Sequence, residues 1–86
     1  MMYKLFIANS KTEKRLQEYI SQRGDIKDKL DKIKIEPRRA NGAHPLHGKL
    51  KGEWACWLGS NIRMLYEIED DKKQITIISV GTHKIY

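Results

Sequence analysis

Cysteine and long apolar runs are scarce in this 86-residue sequence, and each scarcity excludes a class of protein. The single cysteine, Cys56, excludes an internal disulfide and a multi-cysteine zinc site. No apolar run approaches the roughly 20 residues that a membrane-spanning helix needs, and we expect no signal peptide. Apolar residues still make up 40% of the chain, which is too many for a disordered tail. The sequence therefore predicts one globular domain over residues 1–86 in a reducing, cytoplasmic setting.

Acidic side chains are outnumbered, and the basic excess is unevenly distributed. Seventeen Lys and Arg residues against eleven Asp and Glu residues give a formal net charge of +6. Residues 1–52 hold 13 basic and 6 acidic side chains, whereas residues 53–86 hold 4 and 5. Clustered Lys and Arg favour polyanions because each phosphate contact releases counterions. The charge by itself fits either a solvated basic face or a nucleic-acid partner.

Hydrophobic periodicity predicts a strand and then two helices in the first part of the chain. Residues 3–8 are apolar and aromatic, which is typical of a strand. Ser10 and Glu13 form a capping-box pattern ahead of a helical period. Asp25 can cap a second helix, which Pro37 ends. These elements indicate a helical hairpin.

The rest of the chain alternates in hydrophobicity with a period of two, which predicts strands. The candidate strands are residues 46–50, 53–58, 62–69 and 75–80. Short turns between them favour antiparallel pairing. The predicted fold class is therefore α+β, with an N-terminal strand, a helical hairpin and then an antiparallel sheet of three to four strands.

Regular alternation also assigns residues to the two faces of this sheet. We expect the helices to cover the face that carries Ile62, Met64, Tyr66 and Ile68. Trp57 and Arg63 have the opposite parity. Counting by twos from Ile75 through Gly81 places His83 with them. An aromatic ring, a cation and an imidazole are thus predicted to converge on the face that the helices leave uncovered.

The sequence has no phosphate-binding glycine loop, no HExxH and no CxxC motif, and its three histidines lack a nearby carboxylate pair. Metal-free RNA cleavage needs a base, a cation for the phosphorane and an acid for the leaving oxygen. Histidine titrates near neutrality, and arginine binds phosphate through two parallel hydrogen bonds. The sequence supplies both residue types. The alternatives stay open, because a histidine can be an ordinary surface residue and Arg63 can pair with Glu67 or Glu69.

Three segments in order resemble the RelE/ParE superfamily of toxins from toxin–antitoxin pairs. They are residues 44–54 (HPLHGKLKGEW), 62–68 (IRMLYEI) and 80–83 (VGTH), and the pattern is most similar to the YafQ branch. The resemblance implies a RelE-like fold and a ribosome-dependent mRNA endonuclease, or mRNA interferase, that cuts in the A site without metal or other cofactor. It also implies a small, acidic, partly disordered antitoxin as partner, with operator DNA bound only by the toxin–antitoxin complex and no membrane association.

The resemblance also implies roles for individual residues. His44 matches a catalytic histidine, His83 matches the general acid, Arg63 matches the arginine that contacts the scissile phosphate, and Tyr86 matches an aromatic that packs on a nucleotide. The residues expected to contact RNA are Lys49, Lys51, His47, Trp57, Asn61, Arg38 and Arg39.

The sequence departs from the YafQ branch at three positions of the expected site. Ala55, Trp57 and Asn61 stand where members of that branch carry an aspartate, a histidine and an aspartate. The general base is therefore open between His44, His47 and a lysine, while Trp57 can stack on a base. Two other functions stay open: a ParE-type toxin that poisons DNA gyrase, and a catalytically degenerate toxin that acts only as a binding module.

Overall fold

The computed structural model describes residues 2–59 and 61–82, which form a five-stranded sheet with two helices packed on one face. The elements in chain order are β1 (Lys4–Ile7), α1 (Ser10–Gln22), α2 (Asp25–Ile35), β2 (His44–Pro45), β3 (Trp54–Trp57), β4 (Arg63–Glu69) and β5 (Gln74–Gly81). Their spatial order is β1-β5-β4-β3-β2. The prediction of an α+β fold with a helical hairpin is confirmed.

The sheet is larger than predicted, and it is mixed. β1 runs parallel to β5, whereas the other three neighbouring pairs are antiparallel. Tight turns impose antiparallel pairing on β3, β4 and β5. No such turn joins β1 to β5, because both helices and three strands separate them in the chain.

The structure corrects the prediction of a strand over residues 46–50. The strand is His44–Pro45 instead, and Gly48–Leu50 form a single 3-10 turn. Gly48 has φ +70° and Gly52 has φ +98°, a backbone region that interrupts an extended strand. The Leu46 N–H donates to the Glu53 carbonyl at 2.9 Å, so this segment closes a loop between β2 and β3.

The first helix begins from a different cap than predicted and then covers an edge of the sheet. Asn9 is the N-cap, and its side chain accepts a hydrogen bond from the Thr12 N–H at 2.8 Å. The Thr12 hydroxyl donates to the Ile78 carbonyl at 3.1 Å, and Arg15 Nη1 donates to the Val80 carbonyl at 3.2 Å. These bonds satisfy the part of the β5 edge that β1 is too short to reach.

The core lies between the helices and one face of the sheet. Its buried members include Leu16, Ile26, Leu30, Ile33, Met64, Tyr66, Ile75 and Ile77. The prediction that Ile62, Met64, Tyr66 and Ile68 face the helices is confirmed, since the first three are buried in this core and the fourth packs against it.

A β-bulge between β4 and β5 changes the face assignment of β5. Leu65 pairs with Ser79, whereas Tyr66 pairs with Ile77, so Ile78 is an extra residue. The prediction that Ile75 and Ile77 lie on the Arg63 face is therefore wrong, because both are buried in the core. An extra residue inverts the alternation. Beyond the bulge, Ser79 and Gly81 do lie on the Arg63 face, and Gly81 pairs with Arg63.

Candidate functional site

Three predicted site residues lie on the far face, the side of the sheet opposite the helices. Trp57 on β3 pairs with Arg63 on β4, and Arg63 pairs with Gly81 on β5. His44 on β2 pairs with Ala55, which precedes Trp57 by two residues, about 7 Å along the same face of β3. The register of four strands thus brings His44, Trp57 and Arg63 to one end of the far face.

Trp57 and Arg63 are in direct contact. The Arg63 Cζ atom lies over the Trp57 ring, 4.3 Å from its centroid, which is a close cation–π distance. Both side chains are half-buried. Around them, Ala55 and Leu65 on the same face are buried, whereas His44 is exposed. The far face is therefore partly buried, and His44 is the exposed one of the three site residues on it.

Gly42 connects His44 to Trp57. Its φ is +70°, and a Cβ atom added there would lie 3.2 Å from Trp57 Cδ1, so the glycine backbone contacts the indole ring. His44 Nδ1 lies 3.2 Å from the Gly42 carbonyl oxygen. A carbonyl only accepts, so this bond requires a proton on Nδ1. In the neutral ring Nε2 is then unprotonated, which is the state that a general base needs.

The segment that carries Gly42 and His44 is anchored to α2. Asn41 adopts φ +57°, and its side-chain amide donates to the Lys29 carbonyl at 2.8 Å. Within the segment, the Ala43 N–H donates to the Ala40 carbonyl at 3.0 Å. The Asn-Gly pair in the sequence was the signal for this backbone path, since both residue types tolerate positive φ.

Arg38 binds Asp70, which follows the end of β4 opposite to Arg63, and the strand between these two ends is about 20 Å long. Its guanidinium binds Asp70 through two hydrogen bonds of 3.1 and 2.8 Å. The Tyr3 hydroxyl donates to the same carboxylate at 2.6 Å. The Arg38 bond, followed by the Tyr3 bond, lowers the pKa of Asp70 to about 2. Arg38 thus ties the segment after α2 to the β4–β5 turn.

The remaining predicted RNA contacts occupy two other regions. His47, Lys49 and Lys51 are exposed on the β2–β3 loop, which joins β3 at Trp54, about 10 Å along the strand from Trp57. Asn61 is exposed in the turn that leads to Arg63, and Arg39 is exposed beside Arg38. His83 and Tyr86 lie outside the described residues, so their placement stays a prediction.

Cys56 is a core residue that pairs with Met64 on the helix-covered face of the sheet. It is 1% exposed, and burial raises the pKa of its thiol to about 12, which leaves it without thiolate character near neutrality. Within residues 2–59 and 61–82, no three His, Cys, Asp or Glu side chains group as metal ligands would. In the same ranges, neither helix has the length and apolar character needed to span a bilayer.

No protein-family model matches the sequence, and no curated protein matches it significantly. Solved structures of toxins do match its fold. The RelE–RelB complex of Pyrococcus horikoshii is 22% identical over all of both chains, with a TM-score of 0.73. The toxin–antitoxin complex RelBE2 of Mycobacterium tuberculosis is 19% identical over 96% of this chain and 100% of that chain, with a TM-score of 0.76. YafQ of E. coli is 18% identical over 94% and 93% of the two chains, with a TM-score of 0.67. The fold of this chain is therefore the fold of the RelE/ParE toxins.

Proposed function

We propose that this protein is the toxin of a type II toxin–antitoxin system and a ribosome-dependent, metal-independent mRNA endonuclease of the cytoplasm. The observation that carries the proposal is the meeting of His44, Trp57 and Arg63 at one end of the far face, beside the end of β5. The similarity of the fold to solved toxin structures also supports the proposal. The motif that follows β5 in the sequence supplies His83.

The proposed reaction is an attack of the ribose 2′-oxygen on the adjacent phosphorus. His44 Nε2 accepts the 2′-hydroxyl proton, in agreement with the Nδ1 hydrogen bond to Gly42. The Arg63 guanidinium offsets the extra negative charge of the phosphorane. His83 donates a proton to the 5′-oxygen as its bond to phosphorus breaks. The products are a 2′,3′-cyclic phosphate and a free 5′-hydroxyl, and no metal is needed.

The basic segments would hold the protein on ribosomal and messenger RNA. Lys49 and Lys51 lie exposed on the β2–β3 loop, whose end at Trp54 is about 10 Å along β3 from Trp57, and this placement suits contact with phosphates outside the scissile bond. His47, Asn61 and Arg39 are exposed and can add further contacts. Arg38 already binds Asp70, so its part in RNA docking is indirect, through the segment that it anchors.

An antitoxin is the expected partner. Two of the similar structures are complexes of a toxin with its antitoxin. A net charge of +6 favours an acidic and partly disordered chain that folds as it binds. Operator DNA would be bound only by that complex. A small acidic protein encoded next to this chain, and co-purifying with it, would support the assignment.

The experiment is to map mRNA ends on translating ribosomes with the native protein and with three histidine variants. We expect A-site cuts from the native protein, loss of cleavage with His83→Ala or His44→Ala, and continued cleavage with His47→Ala, the matched exposed histidine. Loss of cleavage with His47→Ala and its retention with His44→Ala would reassign the base. A native protein that cuts no mRNA would refute the nuclease assignment. Inhibition of DNA gyrase supercoiling by that protein would then support a ParE-type toxin. Salt-dependent RNA binding without either activity would support a catalytically degenerate toxin.

A further inference from the structure

The indole ring of Trp57 is engaged on two sides by the protein itself. Arg63 Cζ lies over the ring, 4.3 Å from the centroid. Gly42 contacts its pyrrole edge, since a Cβ there would lie 3.2 Å from Cδ1 and 3.8 Å from Nε1. A residue that serves as a platform for an RNA base needs an open ring face. Here one face holds a guanidinium and one edge holds the segment that carries His44.

The register explains why Trp57 is suited to hold Arg63. Arg63 has two cross-strand partners, Trp57 and Gly81, and Gly81 has no side chain. An arginine side chain is long and rich in rotamers, so a fixed guanidinium requires a packing neighbour. Tryptophan gives the strongest cation–π contact among the aromatic residues. A guanidinium that stacks by its face also keeps its N–H groups in the plane, where a phosphate meets them.

We propose that Trp57 is a positioning residue that holds the Arg63 guanidinium in its phosphate-binding orientation, and that this role, rather than service as a platform for an RNA base, is its contribution to cleavage. The proposal rests on the proposed nuclease function, because Arg63 acts on the scissile phosphate only there. The proposal also gives a role to the tryptophan at a position where the YafQ branch carries a histidine. An indole cannot transfer a proton, but it can orient a cation. Through Gly42 the same ring contacts the segment that positions His44, so base and cation share one support.

The test compares Trp57→Phe and Trp57→Leu in single-turnover cleavage on programmed ribosomes. We expect the rate at saturation to fall in the order Trp, Phe, Leu, by about 2- to 30-fold overall, the range of a cation–π contact. The protein concentration for half-saturation should change less than about two-fold. In the Arg63→Ala background, Trp57→Leu should cause no further loss of rate, because the group that Trp57 orients is then absent.

Three results would overturn the proposal. One is an equal loss of rate in the presence and absence of Arg63. Another is a raised half-saturation concentration for Trp57→Leu that disappears when the A-site nucleotide is made abasic, which is the signature of base stacking. A third is equal activity of the Phe and Leu variants, because leucine has no ring to attract the cation.

A second measurement tests the contact between Trp57 and Arg63 without a cleavage assay. A double-mutant cycle of Trp57→Leu and Arg63→Ala in urea unfolding should show coupling beyond about a factor of two in the unfolding equilibrium constant. The matched cycle of Trp57→Leu with Arg15→Ala should be additive, since Arg15 binds the Val80 carbonyl. If the native protein cuts no RNA and this coupling is present, the nuclease assignment fails while the contact stands. If the coupling is absent, the positioning role fails whatever the activity.

Discussion

Gly42→Ala is the most informative single perturbation of this site, because the chain contains a matched control. Gly42 and Gly48 both have φ +70°. A Cβ at Gly42 would lie 3.2 Å from Trp57 Cδ1, whereas a Cβ at Gly48 would meet nothing within 4 Å. Alanine therefore imposes the same backbone strain at both positions. Only at Gly42 does it also displace the ring that contacts Arg63.

The two effects can be given magnitudes. An L-residue in the left-handed region costs roughly 1–2 kcal/mol. Alanine also stabilises the protein by about 0.4–1 kcal/mol, because it restricts the unfolded chain. The net decrease in the free energy of unfolding is therefore about 1 kcal/mol at either glycine. The extra contact at Gly42 adds about 1 kcal/mol, the low end for overpacking, because the half-buried Trp57 can shift. We expect a loss of about 1 kcal/mol for Gly48→Ala and about 2 kcal/mol for Gly42→Ala.

Thermal unfolding followed by circular dichroism measures both variants. For a domain of this size the losses correspond to midpoint decreases of about 4–8 °C for Gly48→Ala and about twice that for Gly42→Ala. The two tryptophans give two indole N–H resonances, and Gly42→Ala should shift the Trp57 resonance while Gly48→Ala leaves both in place. Equal midpoints for the two variants, or an unshifted Trp57 resonance in Gly42→Ala, would refute the contact on which the site geometry depends.

Three further predictions concern the supports of the site and its docking charge. Tyr66→Phe should destabilise the fold by about 1–3 kcal/mol in urea unfolding, because the fully buried Tyr66 hydroxyl donates to the buried Pro37 carbonyl at 2.6 Å and phenylalanine leaves that acceptor unpaired. Asp70→Asn should flatten the acid limb of the stability–pH curve: the folded pKa of Asp70 is lowered to about 2, so its contribution is complete above its ordinary value near 4 and disappears as the pH falls towards 2. An unchanged acid limb in the variant would contradict this. Neutralising Lys49 and Lys51 together should weaken ribosome binding and reduce the slope of log K against log salt by about 1.4, whereas an unchanged slope would exclude phosphate contacts at these lysines.

The local elements could be predicted from the sequence because their causes are local. The helical hairpin follows from apolar residues at helical spacing and from Pro37 at its end. The assignment of Met64 and Tyr66 to the helix face follows from strict alternation along β4. The start of α1 was missed by one residue, because Asn9 and Ser10 are both good caps and in the structure it is Asn9 that has the extended backbone of an N-cap.

The placement of Gly81 beside Arg63 was predicted correctly, but for an incomplete reason. Counting by twos from Ile75 placed Gly81 with Arg63, yet Ile75 itself faces the core. The bulge at Ile78 inverts the alternation, and no local residue pattern marks it. Its position depends on how β4 and β5 twist and pack against the helices, which is a property of the assembled sheet.

The sequence by itself determined the residue types, the fold class and the excess of basic charge, because composition and hydrophobic period are read along the chain. Only the tertiary structure decided which of those residues meet. Gly42 lies between His44 and Trp57, and the Arg63 guanidinium lies over the Trp57 ring. Arg38 forms an ion pair with Asp70 at the opposite end of β4. Such contacts join residues that are distant in the chain, so they depend on strand register and on the backbone path of a few glycines.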